Sequence, residues 1–205
     1  MNVSFGLSVF QYPALAHTRR HGPAGYEDYK SYKPWLRDEF TFRCVFCLTR
    51  ERWCHDGSNG FGVDHFFPKS ARPDLLCDYD NLIYLCNRCN VAKRISAVLN
   101  PCTVALGDHI RVDDDGSVVA STREGEHVID AFNLNYSIAK EYRRRKIDAF
   151  TRWRDTGDEF TIEEELAFPD DLPQLDDRRC SNLRPEGIAE SYFSLRQRGL
   201  LPTVY

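Results

Sequence analysis

The sequence predicts an α+β fold: a small strand–strand–helix core stapled by a metal ion on four cysteines, with hairpin and helical extensions. Three observations predict it. Two Cys-x-x-Cys pairs, Cys44/Cys47 and Cys86/Cys89, are separated by 38 residues. Short apolar runs bounded by turn residues lie between them. An amphipathic stretch, 137–153, follows.

Taken in order, residues 1–25 carry no period and read as an irregular arm. The segment 26–40 (YEDYKSYKPWLRDEF) predicts a short helix, with Pro34 suited to a first helical position. TFRCVFC (41–47) predicts a strand entering a tight turn, and the Gly-rich 48–62 a loop. GVDHFFPKS (62–70) predicts a short strand ending at Pro68. NLIYLC (81–86) is a compact apolar run, a buried strand. NRCNVAKRISAVL (87–99) predicts a helix stopped by Asn100-Pro101. HIRVDDDGSVVA (109–120) predicts a hairpin turning at Asp115-Gly116. Its acidic triplet lacks the later ligands of a calcium loop and reads as a plain turn. The stretch 126–134 is strand or helix start. In 137–153, Ser137 is placed to cap a helix whose Ile138, Tyr142, Ala149, Phe150 and Trp153 face a core. A last short helix spans about 186–198 and stops at Gly199. These elements group as an arm and short helix (1–40), a core (41–100), a hairpin and helix packed on that core (101–154), and an acidic C-terminal segment (155–205).

The chain has 205 residues, 42% hydrophobic and 13% aromatic, enough for an ordinary core. No run approaches the roughly 18 apolar residues of a membrane span, and the first residues lack the basic and apolar regions of a signal peptide. Paired Cys-x-x-Cys units in a long chain favour metal binding in a reducing cytoplasm over disulfides. Residues 1–154 carry 22 Lys+Arg against 19 Asp+Glu, and residues 155–205 carry 5 against 12. A slightly basic body with an acidic tail is compatible with a DNA partner, because local basic faces decide phosphate contact. The run Asp155–Asp177 holds ten acidic residues and no basic one. It reads either as a solvated tail or as a partner-docking or autoinhibitory segment.

Each Cys-x-x-Cys turn brings two sulfurs within reach of one tetrahedral ion, at about 2.3 Å from each. Cys44, Cys47, Cys86 and Cys89 therefore make a closed, structural Zn²⁺ site. It clamps the turn near 44 to the turn after strand 81–86. Cys54, Cys77, Cys102 and Cys180 share no such spacing and read as buried or incidental thiols.

A zinc staple alone does not need the second set of residues nested in it: Asp64-His65, Asn81, Asn90 and Lys93. The segments D64-H65-F-F-P-K-S, D80-N81-L and C86-N-R-C89-N90-V-A-K93 resemble the HNH endonuclease family, with both cysteine pairs in register. Among its members, the HNH partners of ATPase-linked anti-phage systems are similar. The resemblance implies a ββα-metal fold, phosphodiester hydrolysis with a single divalent ion, and DNA as substrate. A defence or restriction role and an ATPase or other defence-complex partner are further implications.

The residue chemistry agrees. Histidine ordinarily titrates near 6.5, so His65 suits a general base, and cleavage is expected to fall at lower pH. The Asp64 carboxylate and Asn90 amide oxygen are hard ligands for Mg²⁺ or Mn²⁺. Neighbours on a strand point to opposite faces, so the strand must end or twist at Asp64-His65. The resemblance gives Asn81 the task of fixing the loop that carries His65; an ordinary turn asparagine is the alternative. Asn90 near a helix start is otherwise a cap. Lys93 shares a helical face with Asn90 and suits a phosphate contact, while Arg88 and Arg94 are backbone contacts or solvated. Of Arg143, Arg144, Arg145 and Lys146, only some can face a nucleic acid from one helix. A zinc-stabilised nucleic-acid-binding module without catalysis, and a nuclease that works only with its partner, share the same cysteines.

Overall fold

The structure is a computed structural model that describes residues 9–93, 98–176 and 180–205. Its elements, in chain order, are β1 (Pro23–Ala24), α1 (Lys33–Glu39), β2 (Phe61–His65), β3 (Leu82–Cys86), α2 (Asn87–Ala92), β4 (Ile110–Val112), β5 (Val118–Ala120), α3 (Arg123–Ala131), α4 (Ser137–Thr156), α5 (Glu159–Leu166), β6 (Ser181–Asn182), α6 (Glu186–Ala189) and α7 (Tyr192–Gln197). Short 3₁₀ turns connect several of them. The strands form three two-stranded antiparallel sheets: β1 with β6, β2 with β3, and β4 with β5. Among the described residues no helix is long and apolar enough to cross a membrane. The chain divides into two compact units, Met1–His17 with Ala97–Ile162, and Thr18–Ser96 with Glu163–Tyr205.

The second unit is built on the β2–β3 hairpin. Its register pairs Phe61 with Cys86 and His65 with Leu82. Every residue of β3 is buried, as its unbroken apolar run implies. Tyr84 stacks on Phe61 across the strands, centroids 5.2 Å apart. Helix α1 packs against the hairpin through the buried Trp35 and Leu36, and Pro34 lies in its first turn.

The end of α1 is a run of three buried charges. Arg37 grips Glu51 through two nitrogens at 3.0 and 2.8 Å and reaches Asp171 at 2.8 Å. Asp38 accepts from Arg20, from His21 Nε2 at 2.7 Å and from the Tyr192 amide at 2.8 Å. Glu39 accepts from the Arg20 and His21 amides and from the Tyr79 hydroxyl at 3.0 Å. One helical turn thus ties the N-terminal arm, the 50s loop and the C-terminal segment to the hairpin.

Several expectations change here. Residues 41–47 form no strand; only an Arg43–Arg50 bridge remains. Thr41 and Phe42 adopt φ of 53° and 52°. That left-handed pair reverses the chain out of α1, and it is held by Phe42 N–H to Arg37 O and by complete burial of the Phe42 ring. The arm is not wholly irregular, since β1 pairs with β6. The acidic segment is not a free tail: Leu166, Phe168, Leu172 and Leu175 are buried between its carboxylates, and Phe168 and Leu172 pack with Phe42. The expected last helix is two, α6 and α7, with Gly199 at φ 68° after the second.

In the first unit, the β4–β5 hairpin turns at Gly116, φ 80°. A Cβ there would collide with the Lys140 carbonyl and lie 2.7 Å from the Arg144 amide of α4, so the turn can rest on the helix only as glycine. The ambiguous stretch 126–134 is mostly helix α3, capped by Thr122 Oγ1 on the Gly125 amide at 3.1 Å. In α4 the cap position falls on Tyr136, without a side-chain bond, and Ile138 is exposed rather than core. Phe150 is buried as expected. Arg143 is buried too, donating to Gly116 O at 2.7 Å and Leu134 O at 2.6 Å. That removes it from any nucleic-acid face. Arg144 and Arg145 pair with Glu141 on their own helix, both at 2.8 Å.

Candidate functional site

The cysteine quartet sits where the 40s turn meets the β3–α2 junction. Cys44, Cys47, Cys86 and Cys89 are buried, and their sulfurs lie within 4.8 Å of one another. The Cys47 and Cys86 sulfurs are 3.5 Å apart. A tetrahedral ion at about 2.3 Å from each sulfur sets sulfurs about 3.8 Å apart, so the quartet fits Zn²⁺. The first knuckle closes through Leu48 N–H to Cys44 O and Cys44 N–H to Thr49 O, both 2.9 Å, with Leu48 at φ 59°.

Four buried thiols in contact cannot all ionise alone. Hydrogen bonds from Cys44 hold Cys47 and Cys86 below the usual thiol range, whereas burial pushes Cys44 up and contact with Cys44 pushes Cys89 up. A divalent ion removes that conflict by favouring all four thiolates. Arg88 belongs to this cluster: its Nη2 lies 3.5 Å from Cys89 Sγ. Burial opposes its charge, and the Cys89, Cys47 and Cys86 sulfurs more than offset that, so its pKa is raised. Arg88, expected as a backbone contact or solvated, thus lies against a sulfur of the quartet. Arg94 lies outside the described residues.

The hairpin arranges the other residues. His65 is the last paired residue of β2, so the strand ends there, as expected, with Asp64 still paired to Ile83. The His65 ring is 4% exposed and sits 4.5 Å from the Tyr29 ring. Its Nε2 is 2.8 Å from the Leu76 carbonyl. A carbonyl only accepts, so Nε2 donates to it, and in the neutral ring the lone pair is then on Nδ1. Nδ1 has no hydrogen bond among the described residues.

Asn81 is buried and brackets Phe67, two residues beyond His65. Its Oδ1 accepts from Phe67 N–H at 2.8 Å, and its Nδ2 donates to the carbonyls of Phe67 at 3.2 Å and Leu75 at 3.3 Å. Both sides of the loop, 66–68 and the Leu75–Leu76 segment that meets His65, are thus held by one amide. The turn bearing Asn81 is fixed in its own right. Arg184 forms a two-point ion pair with Asp80 at 3.0 and 2.7 Å. Arg19, between the Phe40 and Tyr79 rings, donates to the Leu82 carbonyl.

Asp64 and Gly62 share a face of β2. The Asn90 amide lies over that face, 3.5 Å from where a Gly62 Cβ would be. Lys93 does not extend α2, which ends at Ala92; with ψ 106° it leaves the helix and turns back to Asp64, Nζ to Oδ2 2.6 Å. The Asp64 oxygen that already holds a cation is the kind of donor a hard divalent ion takes, while the Asn90 atom facing Gly62 is its Nδ2. The residues that sequence reasoning missed are the supports: Tyr29, Arg19, Arg184, and the Arg37-Asp38-Glu39 run. Charged residues read as solvated, and the one hint was their position beside the aromatic Trp35 and Phe40.

No protein-family model matches the chain. It is 27% identical over 114 residues to Septu protein PtuB of Bacillus thuringiensis, a match covering 53% of this chain and 43% of that protein. The chain is a weak homologue of that protein and carries a four-cysteine cluster suited to a metal ion.

Proposed function

We propose that the chain is a metal-dependent HNH-type endonuclease that hydrolyses DNA phosphodiester bonds, acting in anti-phage defence. The observation that carries this reading is the end of β2. There a histidine with one nitrogen committed to a carbonyl adjoins a carboxylate, and a buried asparagine fixes the loop between them and Leu76. In the proposed reaction His65 Nδ1 takes the proton of an attacking water, and the Leu76 carbonyl stabilises the imidazolium through Nε2–H. Asn81 keeps that imidazole in place through the 66–76 loop. Asp64 and Asn90 hold the divalent ion, which supplies positive charge for the phosphoryl and leaving oxygens. The four cysteines hold Zn²⁺, which keeps hairpin and α2 together and takes no part in the chemistry.

The likeness to Septu protein PtuB and the resemblance to HNH partners of ATPase-linked anti-phage systems support the defence role, with an ATPase as protein partner. Cleavage of a labelled DNA duplex tests the metal assignment. Wild-type protein is expected to cut with Mg²⁺ or Mn²⁺, and Asp64→Ala and Asn90→Ala to lose at least about 100-fold in rate. Wild-type rates in both variants would contradict it.

A further inference from the structure

The proposed divalent-ion position is already a cation site. The Lys93 side chain is only 6% exposed, and its ammonium lies 2.6 Å from Asp64 Oδ2. It also donates to the His65 carbonyl and lies 3.5 Å from the Phe66 carbonyl. One carboxylate and two main-chain oxygens are the kind of donors a hard divalent ion takes. A lysine serving only as a phosphate contact would keep its charge in water, because burying an ammonium is costly unless oxygens replace its hydration. Here those oxygens do so.

Charge makes the two occupants exclusive. Asp64 and Lys93 together are neutral. A divalent ion on Asp64 beside a retained ammonium would set like charges a few ångströms apart in a partly buried site, where repulsion is strong.

We infer that Lys93 is an exchangeable placeholder: its ammonium fills an oxygen cage of Asp64, His65 and Phe66 in the resting protein, and the divalent ion enters by displacing it. This rests on reading Asp64 as a ligand of that ion. Displacement also frees the ammonium to meet a substrate phosphate, whose negative charge offsets the incoming ion. Metal and substrate then bind cooperatively, and the resting protein holds the metal weakly.

Mn²⁺ titration followed by electron paramagnetic resonance tests this on the zinc-loaded chain without any activity readout. Lys93→Met is expected to bind Mn²⁺ at least about tenfold more tightly than wild type, and Asp64→Asn to lose the site. Asp64-dependent binding that Lys93→Met leaves unchanged overturns the placeholder and leaves Asp64 as a ligand. Equal binding by wild type and Asp64→Asn overturns both readings. Because Lys93→Met strips Asp64 of its partner and can disturb folding, the wild type is also probed by reductive methylation read by peptide mass spectrometry. Mn²⁺ should raise labelling of Lys93 relative to the exposed Lys30, and labelling that does not rise overturns the inference.

Discussion

At the scale of single residues, the site depends on groups that hold main chain. Asn81 spends its side chain on three backbone partners. Replacing it with alanine leaves the Phe67 and Leu75 groups without them, at a cost of about 1–3 kcal/mol. Asn81→Ala is therefore expected to lower the unfolding free energy by that amount and to slow cleavage, because the Leu76 carbonyl that orients His65 drifts. Asn81→Asp, which keeps an acceptor for Phe67 N–H, should recover part of both. Denaturant titration and cleavage assays on the two variants check this; a fully stable, fully active Asn81→Ala would remove Asn81 from its positioning role. The strand ending at Asp64-His65 and the turn carrying Asn81 were legible in the sequence, because apolar runs and turn residues bracket them. The fate of Lys93 was not, because the sequence carried the expected helix on to residue 99, whereas α2 ends at Ala92.

At the scale of elements, the hairpin and α2 are too small to stand alone. Strands of five residues and a helix of six bury little apolar surface by themselves. The four-cysteine site joins them to the 40s turn, and a structural zinc contributes on the order of 10 kcal/mol to such a unit. Cys86→Ala is expected to lose zinc and with it the folded hairpin, seen as loss of metal stoichiometry together with circular dichroism. A soluble, fully folded variant without zinc would refute the structural role of the quartet. The strands 61–65 and 82–86 were readable from short apolar runs and flanking turn residues. The 41–47 segment was not, because its β-rich composition says nothing of the left-handed Thr41 and Phe42 that redirect it. Arg143 escaped for a similar reason: a basic run on a helix reads as surface, yet the Gly116 turn and Leu134 leave two carbonyls for that one guanidinium.

At the scale of the whole molecule, the site-bearing unit is closed by segments distant in sequence. Asp171 meets Arg37, Tyr192 meets Asp38, and Arg184 meets Asp80. The acidic segment was read as a solvated tail or a docking or autoinhibitory segment because its charge dominates its composition, while the spacing of Leu166, Phe168, Leu172 and Leu175 carried the packing signal. The Arg37–Glu51 pair is the buried anchor of that closure, and Tyr84 also donates to Glu51 at 2.7 Å. Arg37→Met strands that carboxylate and is expected to cost about 3–5 kcal/mol, with the Arg37→Met/Glu51→Leu double variant recovering much of it. Chemical denaturation of the series measures the coupling; a single variant as stable as wild type would show that this link is not structural. The central claim, that a histidine base on this hairpin cuts DNA, is tested most directly by incubating supercoiled plasmid with wild type and His65→Ala, in Mg²⁺ or Mn²⁺ and in EDTA. The account predicts metal-dependent nicking by wild type and at least about a 100-fold slower reaction for His65→Ala. Equal cleavage by both proteins, or cleavage that persists in EDTA, would contradict it.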